Sequence, residues 1–194
     1  MKKYILTTAF LFFLISGIET AKAQDGFFSN AQTFQEGTFA IGLQPVALTE
    51  QNDFMMIFRA GYGLTPRLTG HLKVGAFDDE VYAGAHLEYG LVSEPASDIS
   101  VALLGGVYKY HETGLKFGLN LSHNFDPISL YTGLNYQPLF INDDYTLNAF
   151  LLPVGLDYHM DDAPVDLILE ADIPLNDDAE YLEAITFGAR IYVN

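Results

Sequence analysis

From residue 38 to the end of the chain, hydrophobic and polar side chains alternate almost residue by residue. In VDLILEAD, residues 165–172, Asp166, Glu170 and Asp172 share one parity while Val165, Leu167 and Leu169 share the other. Successive side chains of a β-strand point to opposite faces, so a period of two predicts a strand with one charged face and one apolar face. Phe54, Met56, Phe58, Ala60, Tyr62 and Leu64 likewise oppose Arg59, Gly61 and Gly63. Leu115, Phe117, Leu119 and Leu121 oppose Lys116, Gly118, Asn120 and Ser122. Met55, Ile57, Leu104 and Leu151 break the pattern by setting apolar side chains on the polar face. Helical periodicity is absent.

The alternation predicts ten strands, over 38–46, 53–64, 68–76, 81–92, 99–109, 113–123, 128–141, 145–159, 165–175 and 181–193. Between them lie the turn sequences TPR, FDDE, SEPASD, YHE, NFDP, NDD, MDDAP and NDDAE, rich in Pro, Asp and Asn. Connections this short join antiparallel neighbours, which predicts one up-and-down meander and no second domain. Pro138 and Pro153 fall inside strands seven and eight, where each removes a ladder donor. If those two strands bulge or project, eight spanning strands replace ten.

Two all-β architectures satisfy this pattern. A soluble barrel turns its apolar face inward; a transmembrane barrel turns it toward lipid and encloses the polar face in a lumen. The polar face favours the second, because it mixes glycine with a few charges of both signs. Four basic residues lie on it (Arg59, Lys73, Lys116 and Arg190), together with Glu88, Asp166, Glu170 and Asp172. Charges of both signs among glycines suit a narrow enclosure where they neutralise one another. Strands of about 11 residues, tilted by about 40°, climb close to the roughly 25 Å apolar band of an outer membrane. Tyr62, Tyr89 and Tyr158 fall near the same height on the apolar face, where an interfacial girdle is needed.

The amino end adds a compartment. MKKYILTTAFLFFLISGIETAKAQ has a basic start (Lys2, Lys3), an apolar run from Tyr4 to Ile18 and a small-residue site at Ala21-Lys22-Ala23. Residues 1–23 therefore read as a secretory signal peptide. Residues 24–37 form a periplasmic amino-terminal lead and 38–194 the barrel. No cysteine occurs, so neither a lipid-anchored amino terminus nor a disulfide is expected. Removing residues 1–23 leaves 24 acids against six bases, a net charge of −18. That balance repels nucleic-acid phosphates and excludes DNA or RNA as partners.

These features together resemble the small bacterial outer membrane β-barrel proteins, a porin-like family, over residues 38–194. The closing TFGARIYV (Thr186, Gly188, Ile191, Val193) is similar to the carboxy-terminal assembly signal that the barrel insertion machinery reads in that family. The chain departs from that signal by ending in Asn194 and by carrying Val193 at its bulky position. YGLTPRLT also resembles periplasmic turns of the family. The resemblance implies an outer membrane location with both termini periplasmic, and contact with membrane lipid and lipopolysaccharide.

The candidate site is the lumen, lined by Arg59, His71, Lys73, His86, Glu88, Lys116, Asn120, Asp166, Glu170, Asp172 and Arg190. Turn spacing sets His71 opposite His86 with Glu88 diagonal to them, a set that could ligate zinc. Lys73 shares that space, so lumen hydrogen bonding is the expectation and no metal is assigned. The spacing also sets Asp166 opposite Arg190, read as a structural ion pair because buried charges require partners. The acid runs at 78–80, 143–144 and 177–178 lack the calcium-loop pattern and read as turn residues.

GxSxG, HExxH and phosphate-loop motifs are absent. Neither enzyme activity nor a cofactor is expected. A barrel of ten strands is nearly filled by its own side chains, so the expected role is envelope structure or slow passage of small solutes. The alternatives are a soluble periplasmic barrel binding an apolar ligand and a lipid-processing outer membrane enzyme.

Overall fold

The computed structural model describes residues 30–194, apart from 51–52, 78–79, 93–97, 111, 143–144, 161 and 194. The predicted signal peptide, the start of the predicted lead and the acid runs at 78–79 and 143–144 lie outside the described residues. Ten antiparallel strands close into one barrel: β1 (Phe39–Leu48), β2 (Asp53–Thr65), β3 (Leu68–Phe77), β4 (Glu80–Val92), β5 (Ile99–Tyr110), β6 (Glu112–Asn124), β7 (Ile128–Asn142), β8 (Tyr145–His159), β9 (Val165–Pro174) and β10 (Ala184–Val193). Each strand pairs with its sequence neighbours, and β1 pairs with β10 to complete the ring. No strand edge is left open, which removes the template for edge-to-edge aggregation. The architecture is the predicted all-β, up-and-down antiparallel barrel, with ten strands.

Two sequence expectations change. The last strand begins at Ala184 instead of 181, because Asp177–Leu182 form a short 3₁₀ helix. The prolines do not expel β7 and β8 from the barrel. The β7–β8 ladder lapses around Pro153, whose carbonyl accepts the Thr132 hydroxyl at 2.9 Å. Pro45 in β1 is handled alike, its carbonyl accepting the Thr186 hydroxyl at 2.8 Å. Side-chain hydroxyls thus engage the backbone where proline interrupts the ladder.

The period-two pattern sorts the faces. Many apolar side chains lie outward, among them Phe58, Leu72, Val81, Leu103, Leu119, Leu134, Phe150 and Ile191, these eight between 40% and 66% exposed. Tyr62, Tyr89 and Tyr158 sit outward near one end, called here the terminal end because Phe39 and Val193 pair there. At mid-barrel height Phe117, Tyr136 and Phe150 stack across β6, β7 and β8, with ring centroids 6.4 and 4.9 Å apart. Inward lie the polar side chains and most of the glycines.

Candidate functional site

All eleven side chains assigned to the lumen from sequence are buried on the interior face: Arg59, His71, Lys73, His86, Glu88, Lys116, Asn120, Asp166, Glu170, Asp172 and Arg190. Asp157, on β8, joins them. Four cations thus face five carboxylates in the interior, so the lumen is close to neutral while the chain's acid excess lies elsewhere. This sorting follows from desolvation: a charge away from bulk water persists only with a partner nearby.

Toward the terminal end the charges form one cluster. Arg190 pairs with Asp166 across the β9–β10 ladder as the register predicted, donating from Nε at 2.9 Å and Nη2 at 2.5 Å to Oδ2. Nη2 also reaches Asp157 Oδ2 at 2.6 Å. The Tyr192 hydroxyl donates to Asp166 at 2.6 Å, and His159 Nδ1 lies 2.7 Å from the same carboxylate. Sequence reading missed Asp157 because it sits on β8, beyond β9 from Arg190. Only the curvature of the closed barrel brings the two together. Its inward parity was the one available signal.

Next to this cluster His71 and His86 face each other across β3 and β4 with their rings stacked, centroids 4.5 Å apart. His71 is fully engaged: Arg59 Nη2 is 3.1 Å from Nδ1, and Glu88 Oε2 is 3.2 Å from Nε2. A guanidinium at one ring nitrogen and stacked imidazoles leave no convergent ligand set. Among the described residues no group of three or more such side chains is placed to hold a metal ion.

Packed side chains cover this polar zone toward both ends. Toward the far end Val46, Leu48, Met55, Ile57, Tyr82, Tyr108 and Ala184 pack as an apolar layer, with Leu139 against it. Beside it Ala149 and Leu151 pack under Ala179 and Leu182 of the 3₁₀ helix. Met55, Ile57 and Leu151, three exceptions to the alternation, are members of this cap. At the terminal end the segment 30–34 sits in the mouth, with Asn30, Ala31 and Phe34 3%, 0% and 6% exposed, while residues 35–37 are exposed. No hydrophobic periodicity marks that segment, and the sequence predicts only an irregular lead there.

Of the proposed assembly signal, Thr186 and Gly188 are buried on the interior face, and Ile191 and Val193 are exposed on the outer face. A soluble barrel for an apolar ligand needs an apolar interior; here charges, amides and hydroxyls occupy it, and apolar side chains cover the outside.

An up-and-down ring with an apolar outer face and a polar interior is an outer-membrane-type β-barrel fold. No protein-family model matches the chain, and no curated protein sequence matches it significantly. Among solved structures it is similar to a barrel reported under de novo design of transmembrane β-barrels, at 13% identity and a TM-score of 0.42, covering 84% of this chain and 100% of that one. It is also similar to the N-terminal β-barrel domain of Pseudomonas aeruginosa OprF, at 11% identity and a TM-score of 0.38, covering 81% of this chain and 98% of that one.

Proposed function

We propose that this protein spans a bacterial outer membrane as a sealed barrel and serves envelope structure, without enzymatic activity. The supporting observation is the pairing of an all-round apolar exterior with a lumen whose ends are covered by packed side chains. An apolar surface continuous around the barrel far exceeds what a soluble monomer exposes, and lipid is the solvent that accommodates it. In this reading both termini face the periplasm, residues 186–193 are presented to the insertion machinery, and the opposite rim meets lipopolysaccharide.

The test is fractionation followed by planar-bilayer recording. The protein should pellet with outer membranes, resist carbonate extraction and conduct essentially no current. Recovery in the soluble periplasm would overturn the membrane reading, and a steady open current would overturn the sealed lumen. Slow passage of small polar solutes is the second reading. It is favoured by the carboxamides of Gln44, Asn120, Asn135 and Gln137, which are buried in the lumen and bond to no protein atom among the described residues. Such groups offer donors and acceptors to anything polar that enters.

A further inference from the structure

We propose that the terminal mouth of the barrel is a peptide-binding seat, filled by the chain's own residues 30–37, and that this strap is an exchangeable plug. The strap is not a strand: β1 starts at Phe39, and residues 30–36 join no ladder. It is held by a few discrete contacts. Asn30 Nδ2 donates to Asp157 Oδ2 at 2.7 Å, Gln32 Nε2 to Ser129 Oγ at 3.3 Å, and the Phe34 amide to Thr69 Oγ1 at 2.8 Å. Gly37 N bonds Gly63 O at 2.9 Å where the strap enters β1.

The Phe34 ring packs edge-on against His71 and Tyr192, with centroids 5.5 and 5.6 Å away, and lies under the Arg190 guanidinium at 5.5 Å. The wall is shaped to this peptide. A Cβ on Gly61 would stand 2.6 Å from the Phe34 ring, and one on Gly63 would overlap the Gln35 carbonyl. One on Gly90 would crowd Thr33 Oγ1 at 3.2 Å. Three interior glycines on two strands thus clear the path of one segment.

Two features make the plug separable. Its departure breaks no strand-to-strand ladder, and Arg190 keeps both Asp157 and Asp166, which belong to the barrel. The ligand class is therefore a short peptide with a carboxamide for Asp157 and, four residues on, a phenyl ring for the Arg190–His71–Tyr192 pocket. Because the far-end cap is independent of the strap, release opens the lumen from one side only. The seat does not depend on the membrane reading: a barrel found in the soluble periplasm would carry the same plug.

The chain has no cysteine, so single-cysteine reporters are unambiguous. Ser122→Cys places a thiol on the interior near the terminal end of β6, and Ala184→Cys places one at the far end; both positions are buried. In purified full-length mature protein in detergent micelles, Asn30→Ala with Phe34→Ala should speed maleimide labelling at 122 by about tenfold or more, since access follows the opening equilibrium of the segment. Labelling at 184 should stay slow, and the synthetic peptide NAQTFQEG, in excess, should restore protection at 122. Gly63→Ala, which alters the seat and leaves the strap side chains intact, should also expose 122, and the peptide should not protect it. Unchanged labelling at 122 in folded variants, equal acceleration at 184, or exposure that the peptide cannot reverse in the strap variant would each overturn the proposal.

Discussion

Arg190→Ala tests whether the lumen is a packed ionic interior or a hydrated channel. Arg190 is 4% exposed and its guanidinium pairs with both Asp157 and Asp166, which are 4% and 3% exposed. Its removal deletes three charge-assisted hydrogen bonds of 2.5–2.9 Å and leaves two carboxylates facing each other. Breaking a buried ion pair from one side costs about 3–5 kcal/mol. Asp166 keeps the Tyr192 hydroxyl and His159, and Asp157 keeps Asn30, so the lower bound applies. A loss of about 3 kcal/mol shifts the folding equilibrium more than 100-fold.

Urea unfolding in lipid vesicles, followed by the heat-sensitive gel shift of folded barrels, reads this directly. Arg190→Met combined with Asp157→Asn and Asp166→Asn should recover most of the loss, because no charge is then stranded. Conductance should stay near zero throughout, since the Leu48, Met55 and Leu182 cap lies at the other end. Arg190→Ala stability within about 0.5 kcal/mol of the parent, or a new cation current, would refute the sealed ionic interior.

Leu119, 49% exposed on the outer face near mid-strand, should tolerate Met but lose about 2–4 kcal/mol as Arg in the same vesicle assay, the depth-dependent cost of a charge facing lipid. Gly155→Ala should destabilise by about 1–3 kcal/mol because its methyl would overlap the Tyr131 ring, whereas Gly105→Ala, with no atom within 4 Å, should be near neutral in thermal unfolding. Leu182→Ala in the 3₁₀ cap should cost about 2–4 kcal/mol by emptying a site against Ala149 and Leu151, read by the same unfolding assay.

The sequence by itself determined the strands, their faces and the ring. Alternation is local: which way Leu119 or Asn120 points depends only on parity, and turns of a few residues leave each strand no partner but its neighbours. Register followed too, so Arg190 opposite Asp166 and His71 opposite His86 were legible from turn positions alone. Tertiary structure decided what meets across the lumen. Asp157 reaches Arg190 from beyond β9 only because the sheet closes with a particular curvature, and no spacing in the chain encodes that diameter. It also decided the two plugs. Met55 and Ile57 are faults in the alternation until Tyr82 and Tyr108 pack with them at the far end, and Leu151 is one until Leu182 packs against it. Gly61, Gly63 and Gly90 are featureless until Phe34 and its neighbours occupy the space a side chain would fill. Residues 30–37 carry no period, because an irregular segment held by side-chain contacts is specified by the cavity it fits, and that cavity exists only once the barrel has closed.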